Sequence, residues 1–393
     1  MQKISVLFMS GIRSDYDLLK PLAVRMKHDV DFDVSFFLCA PHFSDMHNHS
    51  YNFVQNDGFP IVNMTQISNK PFQNDTVHNR INIVSKMMES FNTALSKHKP
   101  DLVIYLGDRE EPLIAAICCT YHGIPTIHIA GGDNCHPKGG DVDEPVRHAI
   151  SKLSSLHLVM ADEHGQRLLQ MGEEKFRIKM VGNPGIDSIL STPKLRVEDL
   201  NHYSKFDINE KYAILIYHVM SSVSPEDALN EYKLIIECCL EKKINLFIGS
   251  PNSDPGYSLL ANYALDISKK YEDKISFFKN IPRVEFTNLA KYSSFIIGNS
   301  SMGILESGAL KKPAINVGER QRGRIHGDNT LFVDSVKSEI LQAIDLVTSE
   351  NFNEKVKRTT FDVYGSGNMA ELSIEFIKKT LKHDTLMEKN ITF

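Results

Sequence analysis

Short apolar runs alternate with amphipathic stretches almost from one end of the chain to the other. Ile4–Met9, Val34–Leu38, Leu102–Leu106, Thr126–Ala130 and Leu156–Met160 show little polar alternation. Strands of that kind are buried on both faces, as in a parallel sheet covered by helices. Between them the spacing predicts helices over Tyr16–Lys27, Val77–Lys97, Pro112–Tyr121, Val146–Ser154 and Glu163–Met171. The breaker-rich Val181-Gly182-Asn183-Pro184-Gly185 and the polar stretch Ser191–Glu210 close this series. A second series follows, with strands expected at Ala213–Tyr217, Leu246–Ile248, Ile275–Phe278, Phe295–Gly298 and Ala314–Val317, and helices that include Pro225–Lys242 and Met302–Leu310. Two such series predict an α/β protein of two doubly wound, parallel-sheet domains. The expected division is 1–185, 186–365 and a C-terminal piece, 366–393, whose helix (Met369–Leu381) can pack on either domain. Ligands of such sheets bind beyond the carboxyl ends of the strands, so an inter-domain cleft is the expected site.

Composition narrows the function classes. The chain has 393 residues, 42% hydrophobic and 24% charged, which excludes disorder as its main character. With 44 Lys plus Arg against 49 Asp plus Glu, its net charge of −5 gives no global field for nucleic acid, and any anion must meet a local basic patch. No stretch approaches the roughly 18 apolar residues of a membrane span. The N-terminal run meets Arg13 and Asp15 too soon for a signal peptide and reads as a buried first strand. Cys118-Cys119 and Cys238-Cys239 lie in apolar helical patterns and no CxxC occurs, so the six cysteines read as reduced, small core residues of a cytoplasmic protein.

The strand ends are where chemistry concentrates. Ser10-Gly11-Ile12-Arg13-Ser14-Asp15 opens a helix: Ser14 or Asp15 can cap it, and Arg13 near its positive end suits an anion. In Gly107-Asp108-Arg109-Glu110-Glu111, Asp108 and Arg109 either pair with each other or serve as acid/base and phosphate ligand. Gly131-Gly132-Asp133 leads through His136 to Asp141-Val142-Asp143-Glu144 and on to Arg147-His148. Asp143 or Glu144 can cap the following helix, and several carboxylates near one site raise one another's pKa, which suits proton transfer. His136 and His148 lack the i, i+4 His pairing of a zinc helix, so no metal is expected. Later come His218 at a strand end, the turn Ser250–Gly256 with Asn252, Ser253 and Asp254, and Gly298-Asn299-Ser300-Ser301-Met302-Gly303, a strand end leading into a helix that can cradle phosphate. Glu306 lies about a turn on, placed to take hydrogen bonds from ribose hydroxyls, and Arg320, Arg322 and Arg324 concentrate positive charge that can neutralise a diphosphate.

This ordered set resembles the UDP-N-acetylglucosamine 2-epimerase family, particularly its hydrolysing branch in sialic-acid and related nonulosonate pathways. It runs from Arg13-Ser14-Asp15-Tyr16 through Gly107-Asp108-Arg109 and the Gly-Gly-Asp…Asp-Glu…Arg-His loop to His218, Pro251-Asn252-Ser253-Asp254, Gly298-Asn299-Ser300-Ser301, Glu306, Arg320-Gln321-Arg322-Gly323-Arg324 and Tyr364-Gly365-Ser366-Gly367-Asn368. The resemblance implies a GT-B fold whose C-terminal helix crosses back to the first domain, and conversion of UDP-N-acetylglucosamine and water to UDP and N-acetylmannosamine through 2-acetamidoglucal. Asp133 stands where many hydrolysing members carry Glu, and a nucleotide-linked 2,4-diacetamido-trideoxyhexose is the competing substrate. It implies that Asp108, Asp133, Asp143 and His218 act on the sugar. Arg13, Asp15, Arg109, Asn252, Asp254, Asn299, Ser300, Ser301, Gly303, Glu306 and Arg320 would hold the nucleotide sugar. Elimination and hydration need neither nicotinamide nor metal, so no cofactor is expected. The expected partner is the UDP-sugar, with neither nucleic acid nor membrane, in a homodimer or homotetramer. A GT-B glycosyltransferase is the rival of another class.

Overall fold

The computed structural model describes residues 3–44, 49–64, 76–135, 140–252, 254–359 and 363–392. Two parallel sheets organise them. The first contains β1 (Ile4–Ser10), β2 (Phe32–Leu38), β3 (Ile61–Met64), β4 (Leu102–Leu106), β5 (Thr126–Ile129), β6 (Leu156–Val159) and β7 (Ile178–Met180), in the order β3-β2-β1-β4-β5-β6-β7. The second contains β8 (Tyr212–Ile216), β9 (Asn245–Gly249), β10 (Ile275–Phe278), β11 (Phe295–Gly298), β12 (Ala314–Val317) and β13 (Thr330–Val333), in the order β10-β9-β8-β11-β12-β13. Strand order reverses between β1 and β4 and again between β8 and β11. Such a switch point is where a doubly wound sheet opens a ligand crevice.

Successive side chains of one strand feed two different layers, which is why these strands lack polar alternation. In β1, Val6 and Phe8 pack with Tyr16, Leu19 and Leu22 on one face. Leu7 and Met9 pack with Phe91 and Ala115 on the other. In β8, Ala213 and Leu215 face Tyr232 and Ile235, while Tyr212 and Ile214 face Leu289 and Phe247. Each such buried aliphatic or aromatic side chain contributes about 1.5–3 kcal/mol by leaving water.

Three strands escaped the sequence pattern: β3, β7 and β13. Each is a short strand toward a sheet edge, and Ile178, Lys179 and Met180 are all half-buried. An edge strand has one neighbour and a solvent-facing side, so its apolar run is short. The first helix begins at Arg13 rather than Tyr16, with Ile12 at its N-cap instead of Ser14 or Asp15. Asp15 instead reaches back, its Oδ2 accepting from the Gly11 and Ile12 N–H groups at 3.1 and 3.2 Å. The helix expected over Met302–Leu310 stops at Leu305. Ser307 donates its hydroxyl to the Gly303 carbonyl (2.7 Å) and Glu306 turns to Arg283, so side chains compete with a second helical turn.

The chain forms two compact units, Met1–Asn134 with Val142–Ser188 and Tyr364–Phe393, and Cys135–Asp141 with Ile189–Val363. The last helix, Met369–Thr380, adds Met369, Ile374 and Ile377 to the core layer holding Leu22 and Met26. Asp187 caps it, accepting from the Met369 and Ala370 N–H groups at 3.1 and 3.0 Å. No disulfide joins the six cysteines, all of them buried. Among the described residues no helix is long and apolar enough to cross a membrane.

Beyond that helix, fully buried Arg177 clamps the chain end. It donates to the carbonyls of Leu386 (2.7 Å), Thr385 (3.1 Å), Glu388 (2.6 Å) and Ser155 (3.1 Å). Arg177→Met keeps the apolar stem but leaves these carbonyls without their donor. Urea unfolding should show a loss of about 3 kcal/mol. A loss below about 0.5 kcal/mol, the size of an ordinary surface substitution, would mean the clamp contributes nothing.

Candidate active site

In the first unit the sheet delivers carboxylates to a buried guanidinium. Arg147, on the helix Asp143–Leu153, is 2% exposed. Its Nη2 pairs with Asp108 at the end of β4. Its Nη1 donates to Glu144 Oε1 at 2.5 Å and to the Asp133 backbone carbonyl at 3.2 Å. The Asp133 carboxylate is itself buried, with His164 Nε2 3.3 Å from its Oδ1 and the Asn134 N–H donating to the same oxygen at 2.8 Å. The Asp108 side chain and the Asp133 backbone thus meet at one cation, while the Asp133 carboxylate turns to His164. Asp143 starts the same helix and is half-buried. Neither Asp143 nor Glu144 caps that helix: its N-cap is Val142, and both acids lie in the first turn. His136 and the rest of 136–139 lie outside the described residues, as does Ser253.

A second acidic group sits at the β1/β4 switch point. Arg147 holds Asp108, and Arg109 reaches a different carboxylate. The Arg109 Nε donates to buried Glu111 at 3.2 Å. Glu110 takes two bonds from Arg80, at 2.9 and 2.7 Å. Burial would raise Glu110, but the charges of Arg109 and Arg80 outweigh it and hold it near 2. Asp15 goes the other way: burial first and Glu111's charge second raise it to about 7, against the pull of Arg109. Arg13 lies over the Phe53 ring and pairs with Asp17 at 3.1 Å.

In the second unit Asn299 is the hub. Its Oδ1 accepts from the His218 N–H (2.7 Å) and its Nδ2 donates to the His218 carbonyl (2.9 Å). The Asn299 carbonyl accepts from Arg320 Nη1 at 3.3 Å and Gln321 Nε2 at 3.1 Å. His218 Nδ1 accepts from the Asn252 N–H at 3.1 Å, which puts the proton of the neutral ring on Nε2. Asn252 in turn holds Asp254. This closeness needs Gly298, whose φ is +129° and whose Cβ, were there one, would lie 2.0 Å from the Ile216 carbonyl oxygen. Ser301 is the N-cap of the one-turn helix, and Ser300 Oγ accepts from the Met302 N–H at 3.4 Å. The Gly303 and Ile304 N–H groups bond to the Ser300 and Ser301 carbonyls, at 3.2 and 3.0 Å. The cradle is therefore a tight turn rather than the open end of a long helix. Glu306 is buried against Arg283. Of the three arginines read as one basic patch, Arg322 pairs with Asp334, Arg324 is buried against Gln321 at 2.5 Å, and Arg320 reaches Asn299.

Known proteins share this arrangement of segments. The family profile described as UDP-N-acetylglucosamine 2-epimerase matches residues 24–378. The chain belongs to that family. It is 30% identical over 388 residues to a UDP-N,N'-diacetylbacillosamine 2-epimerase (hydrolyzing) of Legionella pneumophila, covering 98% of each chain. It is 28% identical over 382 residues to the polysialic acid biosynthesis protein P7 of Escherichia coli, covering 96% of this chain and 94% of that protein. Among solved structures, UDP-GlcNAc 2-epimerase from Neisseria meningitidis bound to UDP-GlcNAc superposes with a TM-score of 0.76 at 19% identity, over 96% of this chain and 100% of that one. The two Rossmann-like sheets are those of the GT-B fold.

Within the 2-epimerase family frame, the sequence assigned no site role to Glu111, Arg147, His164 and Arg283, and read Glu144 only as a helix cap. The i, i+3 spacing of Glu144 and Arg147 was a visible signal. Nothing local marks Glu111 or Arg283, whose partners are set by the sheets.

Asp15 makes a stability prediction. Its folded pKa of about 7 exceeds the ordinary 3.8, so the folded state holds the proton more tightly. That contribution is fully present below pH 3.8 and is lost as pH rises to about 7. Asp15→Asn should therefore match the native chain near pH 4 and be more stable by up to about 4 kcal/mol at pH 8. Equal pH dependence of the two in chemical unfolding would refute the shift.

Proposed function

We propose that this chain is a hydrolysing 2-epimerase of a UDP-linked 2-acetamido sugar. The observation that carries this reading is the meeting of the Asp108 and Glu144 carboxylates at buried Arg147, which also holds the backbone of Asp133, whose own buried carboxylate lies beside His164. Holding an anion does not call for carboxylates; moving protons does. The C2 hydrogen of such a sugar becomes removable as the C1–O bond to the diphosphate breaks, leaving UDP and a glycal. Water then adds, its hydroxyl to C1 and a proton to the opposite face of C2. In this scheme Asp108, Asp133 and Asp143 transfer protons and activate water. His218, with Nε2–H as donor, and Arg320 meet charge on the departing diphosphate. Arg13, Asp15 and Arg109 line the first unit's anion side, Asn252, Asp254, Asn299, Ser300, Ser301 and Gly303 complete the nucleotide cradle, and Glu306 takes the ribose. The reading carries with it a cytoplasmic homo-oligomer in sialic-acid-type sugar synthesis.

UDP-N-acetylglucosamine, giving N-acetylmannosamine, is the sugar that the motif resemblance supports. The Legionella relative supports a second, UDP-N,N'-diacetylbacillosamine. Incubating the protein with each in D2O and following products by NMR separates them. The true substrate should give UDP and a free 2-epimer in equal amounts, with deuterium at C2. A released sugar of unchanged C2 configuration, without deuterium, would refute the mechanism, and turnover that requires an acceptor sugar would favour a glycosyltransferase. Asp133→Asn should cut kcat at least about 100-fold, the lower bound of what general acid–base catalysis contributes, while UDP still binds.

Arg320→Ala removes a charged donor from the cradle. Calorimetry should show UDP binding weakened by about 1.5–3 kcal/mol, with Ser301→Ala the milder change. Unchanged affinity in both variants would exclude this loop from the nucleotide site.

A further inference from the structure

One buried imidazole touches every element that carries the proposed proton-transfer groups. His128 lies on β5 and is fully buried. Its Nε2 is 2.7 Å from the carbonyl of Gly107, the residue before Asp108. A carbonyl only accepts, so Nε2 carries the proton. Nδ1 then accepts from the Ser151 hydroxyl at 3.1 Å. Ser151 stands four residues after Arg147 on the same helix, one turn on and on the same face. The strand of His128 itself runs into Gly131-Gly132-Asp133.

The space for this contact is also built. A Cβ on Gly131 would lie 2.9 Å from His128 Nδ1 and 3.0 Å from Ser151 Oγ, so any other residue would push the two apart. Burial, the largest influence, holds the ring's pKa down to about 3, so it stays neutral and keeps one donor and one acceptor through the physiological range. Nothing in the proposed chemistry uses this histidine as an acid or base.

We propose that His128 is a positioning residue: it fixes the Gly107–Asp108 loop against the Arg147 helix and so sets where Asp108 stands relative to Asp133. The inference rests on the carboxylate reading above. Its prediction is a selective loss of turnover, because misplacing a reacting group by about 1 Å can cost on the order of 100-fold in rate.

The full-length chain carrying His128→Leu should lose on the order of 100-fold in kcat with KM changed less than about 3-fold. His128→Gln, whose amide also offers one donor and one acceptor, should recover most of the rate. Ser151→Ala, a milder change that tests one arm if His128→Leu fails to fold, should lower kcat about 10-fold at constant KM. Selective 15N-histidine labelling of the native chain supplies a readout independent of substrate: His128 should show a protonated Nε2 and an accepting Nδ1. Retained kcat in a folded His128→Leu or in Ser151→Ala, a His128→Gln no better than His128→Leu, or a proton on Nδ1 would each overturn the proposal. If the native chain turns over neither UDP-sugar, the functional reading fails by itself, and the tautomer decides for or against the pin.

Discussion

The buried guanidinium of Arg147 is the constraint on which the first unit's polar interior depends. A full positive charge at 2% exposure must find its counter-charge within the protein. Asp108 comes from the end of β4, the Asp133 carbonyl from the loop after β5, and Glu144 from the helix of Arg147 itself. Three elements are thereby held by one charge, and removing either sign would strand the other away from water. That obligation makes the cluster rigid, which is what proton transfer at a fixed sugar carbon would need.

The β1/β4 switch point handles charge differently. Asp15, Glu110 and Glu111 converge there, with Arg109 and Arg80 as the neighbouring cations. Arg80 and Arg109 together hold Glu110 ionised, and what they leave does not offset the burial of the other two acids. Asp15 and Glu111 are both raised as a result, burial being the first cause for each. The loop that opens the first helix therefore holds a proton near neutral pH that an isolated aspartate would have lost.

The second unit works with dipoles. Asn299 ties His218, Arg320 and Gln321 together through four bonds, none of which needs a second charge. Arg322 and Arg324, identical in type and close in sequence, are committed to Asp334 and Gln321.

The sequence by itself determined the class of fold and the places where chemistry gathers. Doubly buried strands are apolar at nearly every position, so β1, β4, β5, β8 and β11 announce themselves, and most of the polar residues near them fall at strand ends. It determined far less about pairing. Adjacent Asp108 and Arg109 suggest a local ion pair, but each also reaches a partner that the chain order does not announce, and Arg147 lies 39 residues from the aspartate it holds. Glu306 likewise reads as exposed helix until Arg283, 23 residues upstream, is folded against it. Helical and strand periods are local properties carried by neighbours in the chain. Charge partners and buried pins such as His128 are decided by which strands lie side by side, and only the tertiary structure brings those together.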